Sequence, residues 1–200
     1  MRDSCKKYLC VLILLLAFAV RLWDLNARSL WFDEAFEYWS AQVPLWSLPR
    51  TVTTALQPPL YTFVLHLWLK VSIEPLWLRF LSVGLGLLAL SGTMALAYRV
   101  SGGTAAAAAG MLMALLPAEV RYAQEVAEYA LMGCLLAWSL YCLYASIEAP
   151  TWRNLGLWGI LSVLSVYSHY GAALTVFAAA LVVVVREILG KRWKEILRRL

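Results

Sequence analysis

Charge is what this chain has least of. Only 14% of its 200 residues are Asp, Glu, Lys or Arg, and these lie scattered between apolar runs. Even a net charge of +5 cannot make the basic groove of a nucleic-acid binder from so few, so that class of function is excluded. The four cysteines build no disulfide framework: Cys5 and Cys10 flank the start of the first apolar run, and Cys134 and Cys142 fall inside a later one. No CxxC or His/Cys cluster suggests zinc, and all four read as small apolar residues. No glycine-rich phosphate loop follows a strand pattern, which argues against chemistry on a nucleotide.

What is present is hydrocarbon. With 62% hydrophobic residues and a mean hydropathy of +0.71, the chain reads as an integral membrane protein. Apolar runs cover residues 8–23, 58–73, 76–98, 104–116, 127–147, 155–170 and 171–185. Each is expected to be helical, because an isolated strand leaves its backbone polar groups unpaired in lipid. Arg2, Lys6 and Lys7 precede the first run. Ala17-Phe18-Ala19 loosely fits a signal-peptide cleavage site, but the run continues to Trp23 and further spans follow, so it reads as an uncleaved anchor.

Residues 58–73 are the doubtful span: they are short, open on two prolines and contain His66 and Lys70. Basic residues decide the matter. If this run does not cross, Arg2, Lys6, Lys7, Arg99, Arg153, Arg186, Lys191, Arg192, Lys194, Arg198 and Arg199 all face the cytoplasm, about eleven of the 17 basic residues. The expected fold is therefore an all-α polytopic membrane helix bundle with about six transmembrane helices and both termini cytoplasmic in the plasma membrane. Residues 24–77 form the first extracytoplasmic loop, with amphipathic juxtamembrane helices; 78–185 carry the remaining spans, and 186–200 a basic amphipathic helix on the cytoplasmic leaflet. Within the loop, 33–42 sets Phe32, Phe36 and Trp39 opposite Glu34 and Glu37, Pro44 ends that helix, and Pro58-Pro59 opens a second.

On this topology the candidate reactive side chains share one face. Asp33-Glu34, in Ser29-Leu30-Trp31-Phe32-Asp33-Glu34-Ala35, follows the first span. Taken alone, the pair suits the positive end of a helix dipole. Leu56-Gln57-Pro58-Pro59-Leu60-Tyr61 closes the loop, and Arg121-Tyr122-Ala123-Gln124-Glu125 comes after the third span. In that order, these motifs resemble the glycosyltransferase C superfamily, in its bacterial protein-mannosyltransferase-like and lipopolysaccharide-core (RgtA/B/C/D-like) branch, from Val20 to about Ala173.

The resemblance implies an inverting, hexosyltransferase-type enzyme. It would take a sugar from a polyprenyl-phosphate donor and attach it to a hydroxyl of a protein, lipid or glycan outside the cytoplasm. It makes Asp33 the general base, which suits an alcohol that is a poor nucleophile until a carboxylate accepts its proton. Glu34 is placed to orient the acceptor or a neighbouring cation. Arg121 offers a planar fork to the lipid phosphate, and Gln57, Tyr61, Gln124, His169 and Tyr170 are further substrate-binding candidates. Arg79, at the outer end of its span, matches an arginine of the family and is expected to pair with a loop carboxylate. Glu125 and His169 are candidate ligands for a divalent metal such as Mg, Mn or Zn. The family often has a second arginine where this chain has Glu128, a residue that repels phosphate. Arg121, Glu125 and Glu128 also have the spacing of one salt-bridged helix face.

Family members carry further spans, so the chain is expected to be the N-terminal module of a longer protein. A transporter or flippase would place ionisable residues at span centres and show an inverted repeat; neither is found. A non-catalytic subunit or truncated pseudoenzyme would be indifferent to loss of the Asp33 carboxylate.

Overall fold

A computed structural model describes residues 2–48 and 58–199. Every regular element among them is helical: α1 (Arg2–Leu22), α2 (Phe32–Gln42), α3 (Pro59–Trp68), α4 (Pro75–Ser101), α5 (Gly103–Leu115), α6 (Pro117–Gln124), α7 (Tyr129–Glu148), α8 (Trp152–Ser168) and α9 (Ala172–Arg199). The all-helical expectation holds, and prolines at the first turns of α3, α4 and α6 mark those starts, where a missing N–H is of no consequence. The helical chain is interrupted between the last two apolar runs at 169–171.

Among the described residues two helices, α4 and α7, are long and apolar enough to cross a membrane, and α5 with α6 makes a third if that bent pair is one span. The expectation was about six. Tyr8–Leu22 and Ala172–Arg186 are shorter apolar segments among the described residues, and α8, with 17 residues, is below the roughly 20 that span a bilayer. The basic tail is continuous with the last apolar run, since α9 passes position 186 without a break.

Helix α4 is the central post, packing against α1, α3, α5, α6 and α7. Small residues allow the approach. A Cβ on Gly86 would lie 2.7 Å from that of Ala123 on α6, and one on Gly92 3.1 Å from that of Ala137 on α7. One apolar cluster joins Ile13 and Ala17 of α1 to Leu90, Met94 and Ala114. Another joins Ala41, Tyr61, Leu65, Leu78, Val126 and Leu131, tying α2 and α3 to the bundle.

The α5–α6 junction bends by 62°. Pro117 has no N–H to give Met113, so that carbonyl is left open. Arg21, wholly buried at the end of α1, supplies the missing donors: Nη2 to the Met113 carbonyl at 3.2 Å and Nη1 to that of Ala114 at 3.4 Å. The ends of α1 and α5 are thereby fixed at one end of the bundle. At the other, Arg99 closing α4 lies 3.6 Å from Glu148 closing α7, and over the Tyr141 ring. Both helices therefore begin at the end where α1 and α5 finish, as an up-and-down chain requires.

Between α3 and α4 the chain turns on a reciprocal clamp. Trp68 and Trp77 stack at 4.5 Å with planes 6° apart. Each indole N–H donates to the other's backbone carbonyl, at 2.8 and 3.2 Å.

Candidate active site

Helix α2 is packed with its two glutamates inward. Phe32 and Trp39 are 80% and 72% exposed, whereas Glu34, Glu37, Ser40 and Ala41 are buried. Aromatics outward suit a helix at a lipid interface, and the inward carboxylates require partners.

Glu34 finds four donors. Arg79 on α4 reaches it with Nε to Oε1 at 2.9 Å and Nη2 to Oε2 at 2.7 Å, a two-pronged pair with both side chains buried. The Val126 N–H donates to Oε1 at 3.0 Å, and the Trp31 N–H, at the N-terminus of α2, to Oε2 at 3.3 Å. Arg79 also donates to the carbonyls of Leu25, Arg28 and Ser29. The pair thus fastens the turn after α1, the start of α2 and the α6–α7 link to α4. Glu34 is the loop carboxylate that Arg79 was expected to meet, and its role is to position, because both its oxygens are occupied.

Asp33, one residue earlier, is exposed and lines a cavity of about 760 Å³. Trp31, Phe32 and Phe36 form one wall; Arg121, Glu125, Glu128 and Tyr129, from the end of α6 and the start of α7, form the other. Glu37 also borders it, accepting from Thr62 Oγ1 at 3.2 Å. Burial, with Glu128 and then Asp33 as like charges nearby, pushes its carboxyl up to about 7, against the lowering effect of the Thr62 bond. Glu37 was absent from the sequence candidates. Its spacing one turn after Asp33 was the available signal, but its partner Thr62 is 25 residues away.

The other candidates divide. Arg121 is largely exposed, and its Nε donates to Glu125 at 2.7 Å. Among the described residues, that bond leaves the two terminal nitrogens of its fork without hydrogen bonds. The expected Arg121–Glu125–Glu128 face stops after its first pair: α6 ends at Gln124, and Glu128 caps α7 instead. Gln124 is not free for substrate, since Nε2 donates to the carbonyls of Arg21 and Trp23 at 3.1 and 2.8 Å, tying α6 to the end of α1. Tyr61 is 1% exposed in the core and does not line the cavity. Tyr170 is exposed at the α8–α9 turn, and Gln57 lies outside the described residues.

His169 is half-buried between Tyr129 and Glu128. The Gly171 N–H donates to its Nδ1 at 3.0 Å, which assigns the ring proton to Nε2, 4.0 Å from Glu128 Oε1. Its neighbouring carboxylate is thus Glu128, while Glu125 is held by Arg121. Among the described residues, no group of three His, Cys, Asp or Glu side chains is placed to hold a metal ion.

A family profile matches residues 56–198, most of the chain. The chain belongs to the dolichyl-phosphate-mannose-protein mannosyltransferase family. This mannosyltransferase-family match takes in Arg79, Arg121, Glu125, Glu128 and His169, and begins after Asp33 and Glu34. What joins the two halves of the site is the Glu34–Arg79 and Glu34–Val126 bonding. No curated protein and no solved structure matches the chain.

Proposed function

We propose that this protein transfers a sugar from a polyprenyl-phosphate-linked donor to a hydroxyl on the extracytoplasmic side of the membrane. The observation that carries the reading is the cavity shared by Asp33 and Arg121, which belong to elements 88 positions apart (121 minus 33) at the same end of the bundle. Its orientation follows from the basic residues, whose bias places the opposite end, with Arg99 and Arg153, in the cytoplasm.

Asp33 is the general base. A carboxylate beside the acceptor hydroxyl accepts its proton as oxygen attacks the anomeric carbon, and the sugar–phosphate bond breaks on the opposite side, so the anomeric configuration inverts. Charge then develops on the departing lipid phosphate, and the free Nη groups of Arg121 stabilise it. The aromatic wall of Trp31, Phe32 and Phe36 offers apolar faces to a sugar. Glu34 and Arg79 hold the base on its helix without touching the reacting atoms.

The test is transfer of labelled sugar from a polyprenyl phosphate in membranes holding the full-length protein. Asp33→Asn keeps the shape and removes the base, so the rate should fall by about 10²–10⁴-fold with protein level unchanged. Unaltered transfer by that variant would sink the assignment and favour a non-catalytic subunit.

A further inference from the structure

Beside the main cavity lies a second recess of about 510 Å³, lined by Asp24, Arg28, Ser29, Arg79, Arg121 and Glu125 among others. The two share Trp31, Arg121 and Glu125, so Arg121 stands in the partition between them. Their charges differ. The main cavity has four carboxylates (Asp33, Glu37, Glu125, Glu128) against Arg121 alone. In the recess three arginines face three carboxylates, and two of those arginines are already matched: Arg79 by Glu34 and Arg121 by Glu125. Arg28 is the exception. Its guanidinium is exposed and makes no hydrogen bond or ion pair with any described residue, Asp24 included.

Arg28 nevertheless stands on a fixed backbone. The Arg79 Nη1 donates to its carbonyl at 2.9 Å, and Nη2 to that of Ser29 at 3.2 Å. Four residues before the base helix, the structure thus presents a cation without an ion-pair partner among the described residues, on a pinned turn and within one recess that also holds the open fork of Arg121. A phosphate in the main cavity would meet the carboxylates of Asp33, Glu37 and Glu128 with Arg121 alone against them; in the recess it would meet Arg28 as well as Arg121, with Asp24 as the one carboxylate not held by an arginine.

We propose that the donor's phosphate sits in this recess, clamped between Arg28 and the Nη groups of Arg121, and that Arg28 supplies the second cation missing at Glu128. The sugar then projects past Arg121 towards Asp33, and phosphate and acceptor are kept on opposite sides of the partition. The inference rests on the lipid-phosphate reading above and adds the residue that recognises the phosphate.

Binding of a sugar-free polyprenyl monophosphate to the purified full chain in detergent tests it without requiring transfer. Arg28→Gln should weaken binding about tenfold or more, Arg28→Lys should recover part of it, and Arg153→Gln, at the opposite end, should bind like the parent. Binding of the corresponding free polyprenol should not respond to Arg28→Gln. The clamp is overturned if Arg28→Gln binds the phosphate as the parent does; if Arg121→Gln is still weakened, the donor reading survives and only Arg28 is misassigned. Equal competition by phosphatidylglycerol would also overturn it, by making Arg28 a general headgroup contact. No binding of the phosphate by the parent would remove both the clamp and the lipid-phosphate donor, whereas intact binding with normal transfer by Asp33→Asn would remove the base alone.

Discussion

Two arginine–glutamate pairs stand at the same end of this bundle with opposite fates. Arg79–Glu34 joins residues 45 positions apart, both buried, with two prongs and further backbone donors. Arg121–Glu125 joins neighbours one helical turn apart through a single prong, its arginine side chain 69% exposed. Identical chemistry yields a fastening in one place and a loosely engaged, available cation in the other. Burial makes the difference: a charge withdrawn from water must keep its partner, whereas one in water can exchange it for a substrate.

The largest effect should come from the fastening. Glu34→Ala leaves Arg79 buried without its counter-ion and should cost about 3–5 kcal/mol, read as loss of folded protein or a lowered unfolding midpoint in detergent. A midpoint equal to the parent's would place Arg79 in water and dissolve the contrast between the pairs. Between the two pairs sits Glu37. Because its carboxyl is raised to about 7, the folded protein keeps a proton that the unfolded chain loses near pH 4.5. Its contribution to stability is therefore complete below that pH and is lost as pH rises through 7, by about 3 kcal/mol. Glu37→Gln keeps an acceptor for Thr62 and should flatten the slope; an unchanged pH profile would show that another group titrates. The smallest effect belongs to the exposed pair. Glu125→Gln should leave the midpoint within about 1 °C, and a larger shift would make Arg121–Glu125 a second fastening.

Most of the helices were legible as apolar runs, several with proline or glycine at an edge, and the loop helix 33–42 was legible from the alternation of aromatics and acids. Crossing number was less so. Hydropathy marks 104–116 as one apolar run that stops where α6 begins, while the bend at Pro117 and its repair by Arg21 depend on a residue nearly a hundred positions earlier. Asp33 and Glu34 look alike in sequence, and only the fold separates them, turning one to the cavity and the other to Arg79. Gln124 and Tyr61 read as substrate contacts because their motifs lie beside the site. The fold uses the first as a tie to α1 and buries the second.

The Trp68–Trp77 clamp carries a consequence of an optical kind. Two indoles stacked at 4.5 Å and nearly parallel have coupled transition dipoles, and close stacking also favours mutual quenching. Their pairing holds only while α3 lies folded back on α4. The juncture of α3 with the central helix therefore contains its own chromophore pair, through which docking of the loop that carries α3 can be followed by light without attaching a label.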